Sequence, residues 1–457
     1  MALRTGGSHN IDMCNGPLFK KILLFSLPIM VMDILQLLFN TTDMIVVGRF
    51  SGSRALAAVG STGSLINLII TLFMGLSAGT SVVVARDFGA GRTEDVGRSV
   101  HTSIAVSMIG GVIVMVAGLL ICRPLLVLMG TPADILNLAT LYMKIYFFSM
   151  PASMVYNFGA AVLRAVGDSR RPMNYLLITG TLHVGLNLFF VIKLHMSVAG
   201  VAWATVISQY LSALLILFCL SRYDGAIRFV PRQLCIDTRK LRDIVRIGLP
   251  AGLQGLLFSI SNVMIQSAVN SFGSVMVAAS SAAGNIENYV GTPMNAYYNS
   301  AITFTAQNVG AKKYKRVDTV AKVCAALVFA TWVVVGGTIM LLGAPLLSVF
   351  TTDPQVIRLG VLRLYIMMCA YFTCGIMNVF PGLSRGMGFS ILPMLCTLIG
   401  ACLLRIVWLA TVFAWYHNEV VLFACYPVTW ALAGVGQVVI FFYARYRTRR
   451  QAPAPSI

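Results

Sequence analysis

Asp33, Gln36, Asn40 and Asp43 follow one another at spacings of three, four and three residues in LFKKILLFSLPIMVMDILQLLFNTTDMIVV, a stretch otherwise almost wholly apolar after its first turn. At about 100° per residue, the four side chains occupy a sector of roughly 80° on a single helix. A carboxylate in hydrocarbon costs several kcal/mol, so two on one face call for water, polar partners or a chemical task. Removed from water, a carboxyl group holds its proton more tightly, and a neighbouring cation or hydrogen-bond donor loosens that hold. A group so poised can take up H⁺ on one side of a membrane and release it on the other. Each tenfold change in proton affinity couples about 1.4 kcal/mol to conformation. Pro28, a turn before Asp33, removes an internal hydrogen bond and offers a place for the helix to bend.

Thr179, His183 and Asn187 recur every four residues further along and share a face in the same way. Either His183 joins a proton relay, or Asn187 lends a carbonyl oxygen to Na⁺ while His183 only packs. A third polar stripe, Ser259, Asn262, Gln266 and Asn270, contains no acid. Its nearest carboxylate is Glu287, for which Arg405 is a candidate counter-charge, as Lys144 is for an acid of the first stripe. Tyr142, Tyr146, Tyr156, Tyr289, Tyr297, Tyr298, Tyr365 and Tyr371 are candidates for the wall of a binding cavity, with methionines such as Met294. Aromatic faces attract organic cations, and methionine gives adaptable apolar contact. Ordinary membrane packing or an interfacial aromatic belt is the competing account for any one of these rings.

The elements that must position these groups are membrane helices. Of 457 residues, 58% are hydrophobic and 11% charged, a composition that a soluble domain would not sustain. With about 20 apolar residues per crossing, twelve spans are predicted, at 18–47, 57–84, 99–121, 136–162, 174–194, 199–220, 246–270, 277–307, 318–342, 356–382, 391–415 and 421–443. They are numbered helix 1 to helix 12. The formal charge of +19 is topological: with the N-terminus cytoplasmic, most of the 34 Lys and Arg fall in inside segments. Both termini are then cytoplasmic, and nucleic acid is not an expected partner. The first apolar run lacks a small-residue cleavage site and is expected to remain in place as a helix. The ten cysteines show no C-x-x-C and imply neither disulfides nor a metal cluster.

The chain is written twice. At the spacing that separates Asn157 from Asn378, Arg164, Gly167, Ser169, Pro172 and Met173 fall on Arg385, Gly388, Ser390, Pro393 and Met394. Gly89-Ala90 falls on Gly310-Ala311 and Gly52 on Gly273; one residue of slip places Leu27-Pro28 and Asn40 on Leu249-Pro250 and Asn262. Six helices per repeat make the repeat parallel, about an axis along the membrane normal. The expected organisation is an N-terminal cytoplasmic segment (1–17), an N-lobe (18–220), a polar linker (221–245), a C-lobe (246–443) and a cytoplasmic tail (444–457). This is an all-α integral membrane protein in two six-helix lobes. Two such lobes joined by one linker suit alternating access, and Asn157 and Asn378 are placed by symmetry to line a shared cavity.

On these residues the chain resembles the multidrug and toxin extrusion family. The resemblance rests on LPIM, LLFNTTDMIVVGRFSGSRALAAVG, VARDFGAGR, NFGAAVLRAVGDSRRPM, VAGVAWATVISQ and TAQNVGAKKYKRV, in that order. It implies two six-helix lobes, a V-shaped cavity and export of organic cations in exchange for H⁺ or Na⁺. Asp43 and Pro28 match the family's helix-1 acid, part of its ion-coupling site, and its helix-1 proline; Asp33 matches no characteristic position. Helix 5 often carries N-x-x-x-D in the family, whereas His183 and Asn187 stand here. A glutamate found in helix 7 of some branches is missing.

The function expected is therefore multidrug efflux by antiport, with Asp43, Asp33, Asn40, Gln36, His183, Asn187 and Thr179 coupling the ion. Asn157, Asn378, Tyr146, Glu287 and Met294 would meet the substrate. Lipophilic organic cations are the expected small-molecule partners, and the lipid bilayer, a bacterial inner membrane, is the setting. The chain is expected to act as a monomer, with no cofactor beyond the coupling ion. A flippase for a lipid-linked saccharide is the alternative; it would favour more helices and a basic cavity. No H-E-x-x-H, G-x-S-x-G or P-loop motif is present, so an enzyme is not expected.

Overall fold

The computed structural model describes residues 10–450; the first nine residues and the tail from 451 lie outside it. No strand occurs among the described residues. Nine of the described helices are long and apolar enough to cross a membrane: Leu18–Phe50, Ser53–Gly89, Thr93–Leu128, Arg170–Lys193, Ser197–Ser221, Thr238–Asn270, Tyr314–Ser348, Ile391–Trp415 and Glu419–Arg450. A tenth crossing is the bent pair Pro354–Cys369 and Tyr371–Gly386, which turns by 51° at Ala370. The two remaining predicted spans are helical as well. Helix 4 is split into Ala133–Phe147 and Met150–Ala165 by a break at Phe148-Ser149, just before Pro151, which cannot continue the hydrogen-bond ladder. Helix 8, Ser274–Gly310, is continuous, but polar groups from Asn285 to Asn299 dilute its hydropathy. With a rise of about 1.5 Å per residue, helices of 33–37 residues outrun the roughly 30 Å of hydrocarbon. Their ends therefore carry the charged groups that the predicted spans left in loops.

The chain divides into two compact units. The first is Leu27–Val245, with the segment ending at Asp12; the second is Met13–Ser26, with the chain from Arg246 onward. In the first, helix 1 from Val46 packs with Ala55, Ala58 and Val59 of helix 2, Tyr142 and Met143 of helix 4, and Val198, Val201 and Ala202 of helix 6. In the second, Ile265 and Val269 of helix 7 pack with Met276, Phe413, Leu422 and Phe423. The segment 221–245 is docked on the first unit. Val230 N–H donates to His101 Nε2 at 3.1 Å, Asp237 N–H to Thr102 Oγ1 at 3.0 Å, and Lys240 Nζ lies 2.7 Å from the fully buried Asp87. The backbone N–H groups of Lys240 and Arg239, with Arg98 nearby, hold the Asp237 carboxyl below the usual carboxylate range.

The repeat is visible in the backbone. Gly52 and Gly273, which open helices 2 and 8, have φ of 85° and 88°, and Gly167 and Gly388 have 97° and 93°. A side chain would strain each of these left-handed positions. Gly91 (φ 71°) has Lys312 (φ 58°) as its equivalent, so here the second unit keeps the conformation without the glycine. All ten cysteines are free.

Candidate functional site

In the first unit, helices 1, 5 and 6 meet around Asp43. Helix 5 carries glycine at 180 because Phe39 of helix 1 lies over it; a Cβ there would sit 1.9 Å from the ring. That approach brings the next turn of helix 1 against the next two of helix 5. Asn187 Nδ2 donates to Asp43 Oδ1 at 2.6 Å, and His183 Nε2 lies 3.6 Å from the same oxygen. The side chains of Asp43 and His183 are 13% and 8% exposed. Thr205, on helix 6, stands 3.3 Å from His183 Nε2 while its hydroxyl donates to Val201 O at 3.0 Å. Thr205 therefore presents a lone pair to the ring, so the network assigns a hydrogen to Nε2, on the side of Asp43. The carbonyl oxygen of Asn187 is buried and has no hydrogen-bond partner among the described residues. Directly after Asn187 the helix loosens into a π segment, Phe189–Lys193, an insertion that re-aims the side chains beside it. Tyr142 and Tyr146 lie within electrostatic range of Asp43, with ring centroids 6.0 Å apart.

The rest of the predicted constellation is dispersed. Thr179 ties helix 5 to helix 6, with Ser212 Oγ 2.8 Å from its hydroxyl, and stands a turn away from His183. Asp33 is half-buried in electrostatic range of Arg164, and ten residues of helix separate it from Asp43 by about 15 Å. Gln36 and Asn40, between the two acids, are exposed, as is Lys144. Pro28 is buried inside the unbroken helix Leu18–Phe50. The polar stripe thus resolves into two acid-centred groups. Thr205 is the member that sequence reasoning missed; it lies in the family-like stretch VAGVAWATVISQ, but one threonine there gives no chemical signal of its own.

In the second unit, Arg405 is not the counter-charge of Glu287. Arg363 is, gripping both carboxylate oxygens at 3.0 Å with Nε and Nη2. The reason is geometric: helix 10 packs along helix 8 and delivers Arg363 to Glu287. Arg405, 1% exposed, instead donates from Nη1 to Asn262 Oδ1 at 2.8 Å and from Nε to Thr429 Oγ1 at 3.3 Å. Its guanidinium carbon lies 4.9 Å and 4.7 Å from the ring centroids of Phe258 and Tyr426.

The candidate wall residues are mostly engaged. Asn157 and Asn378 each donate to the carbonyl four residues back, Ser153 at 2.8 Å and Cys374 at 2.9 Å, so the repeat extends to side-chain bonding. Met294 is 2% exposed and its sulfur packs against Gly375. Tyr156 donates to Pro172 O at 3.0 Å, Tyr297 is bonded to Thr331 at 2.9 Å, and Tyr371 packs edge-on against Trp430. Tyr289 and Tyr365 are exposed.

The MatE family model matches residues 28–189 and again 250–411, one copy in each half. The Bacillus subtilis (strain 168) protein named probable multidrug resistance protein YpnP is 27% identical over 412 residues, covering 89% of this chain and 91% of its own. The same bacterium's probable multidrug resistance protein YoeA is 27% identical over 388 residues, 82% of each chain. Among solved structures, a MOP superfamily transporter from Pyrococcus furiosus, described as having a binding pocket of reverse polarity, superposes with a TM-score of 0.87 at 25% identity. It covers 96% of this chain and 97% of that one. An outward-facing multidrug resistance MATE transporter gives the same TM-score at 24% identity, with the same coverage. Family members are transporters, not enzymes, and they cross the membrane many times. With its twofold match over most of the sequence, the chain belongs to the MatE family, the multidrug and toxin extrusion family that its sequence resembles.

Proposed function

We propose that the chain is a secondary active exporter that moves lipophilic organic cations outward in exchange for H⁺ taken up by Asp43. In this reading the N-lobe (18–220) and C-lobe (246–443), joined by the linker 221–245, alternate access across a bacterial inner membrane, with both termini cytoplasmic. Small apolar cations meet the aromatic and methionine-rich surfaces, and no cofactor is required beyond the coupling ion.

The supporting observation is the setting of Asp43: one oxygen held by Asn187 at 2.6 Å, His183 at 3.6 Å, and a buried carbonyl of Asn187 unused. An amide serves an acid in both charge states. Its N–H₂ donates to the carboxylate, and after rotation its oxygen accepts from the carboxylic acid O–H. Asn187 can therefore follow Asp43 through a proton cycle, and the Nε2–H of His183, directed at the carboxylate, favours its charged form. The coupling acid of this reading stands alone, because helix 5 has Asn187 where the family pattern often has an aspartate. Asp33, Gln36, Asn40 and Thr179 then flank the site, and Pro28 lets helix 1 bend as its charge changes.

The test is efflux of ethidium from proteoliposomes driven by a pH gradient in Na⁺-free buffer. The wild type is expected to extrude the dye, and Asp43→Asn to lose extrusion while remaining folded. Complete dependence on Na⁺ would overturn the proton assignment, and wild-type rates from Asp43→Asn would overturn the role of Asp43. Movement of a labelled lipid-linked saccharide without dye export would point to the flippase reading.

A further inference from the structure

Arg405 lies in the interior of Ile391–Trp415 and is buried to 1% exposure, yet it forms no ion pair among the described residues. Glu287, the carboxylate of its neighbourhood, is held on both oxygens by Arg363. Tyr426 feels Arg363, Arg405 and Glu287 together, so the polar heart of the second unit holds two guanidinium groups against one carboxylate. The Arg405 guanidinium carbon lies over the rings of Phe258 and Tyr426. Asn262 and Thr429 take Nη1 and Nε, and Nη2 is buried without an acceptor among the described residues. Aromatic faces stabilise a cation electrostatically but accept none of its in-plane hydrogen bonds. What is left is a desolvated charge with one donor edge unused, the half of a strong hydrogen-bonded pair that an anion completes.

We propose that the second unit binds a monoanion on the Nη2 edge of Arg405: a halide from solution, or the carboxylate of a transported molecule. The proposal goes beyond cation export and stands whether or not protons pass through Asp43. Asn262 orients the guanidinium, and Thr429 fixes its rotation about the side-chain axis. Any ligand enters a site already positive, so neutral molecules of the same size gain nothing from it.

The test uses the purified full chain in detergent at constant ionic strength, with methanesulfonate as the background anion. Chloride and benzoate are titrated in separate arms while thermal unfolding is followed. At about tenfold over half-saturation, binding to the folded state alone raises Tm by roughly 1–2 °C. A saturable rise with chloride identifies a solution halide; a rise with benzoate that chloride competes away identifies a carboxylate. Asn262→Asp places an internal carboxylate on Arg405 and is expected to abolish either rise, as is Arg405→Gln. Equilibrium binding of radiolabelled chloride and benzoate to the wild type reads the site without any variant, with about one anion per chain expected. No anion-dependent rise and no bound anion in the wild type would overturn the proposal. So would an undiminished rise in a folded Asn262→Asp.

Discussion

Between helices 1, 5 and 6 the first unit places an acid, and between helices 7, 11 and 12 the second places an arginine. The correspondence is close. Thr205 and Tyr426 are one repeat apart, His183 falls next to the position of Arg405, and Asn40 is equivalent to Asn262. In the first unit, hydroxyl, amide and imidazole surround a group able to lose its charge. In the second, Tyr426 offers a ring face in place of the threonine hydroxyl, and the group it meets is a guanidinium. Duplication thus preserved where the polar heart of each unit lies while the sign of its charge diverged. Glu287, the carboxylate that shares these surroundings, is bound bidentately to Arg363, an arrangement of structural pairs.

The contrast can be broken in several places. The largest effect expected is on transport: Asp43→Asn should reduce pH-driven dye efflux by at least about tenfold with little change in Tm. Glu287→Gln should do the reverse. It leaves Arg363 buried without its partner, a loss of about 3–5 kcal/mol, read as a lowered unfolding midpoint. Replacing both members by Met should restore most of that stability. Lost efflux at unchanged Tm in Glu287→Gln would instead show that both units work through acids. Asn187→Asp sharpens the comparison within the first unit. A second carboxylate on the partner that now stands 2.6 Å from Asp43 cannot coexist with it unless they share a proton or a cation. Efflux by this variant should become responsive to Na⁺, and an unchanged ion dependence would count against coupling at this contact. The smallest effect is in the backbone. Lys312→Gly, which gives the second unit the residue found at Gly91, should stabilise by about 1 kcal/mol or less by removing a strained positive φ.

Much of this was legible in the sequence because membrane helices are written in long apolar runs and the repeat in ordered Asn, Arg, Gly and Pro. The contact of Asp43 with Asn187 and His183 could be anticipated because spacings of four residues put groups on one face of helix 5. The partner of Glu287 could not, because the choice between Arg363 and Arg405 depends on how helices 10 and 11 are rotated against their neighbours. Periodicity fixes a face but not what it meets. For the same reason the stripe from Asp33 to Asp43 looked like one site, whereas Gln36 and Asn40 between the acids are exposed. Thr205 was invisible for want of any signature beyond its small size.

Arg405 is a buried guanidinium embedded in a span across which an electrical potential falls. One elementary charge crossing the full field exchanges about 2.3 kcal/mol per 100 mV. A rearrangement of the second unit that carries Arg405 through even a tenth of that drop is therefore biased by about 0.2 kcal/mol per 100 mV. With no ion or substrate bound, the resting distribution of conformations is then set partly by voltage, and a transient capacitive current accompanies each such rearrangement.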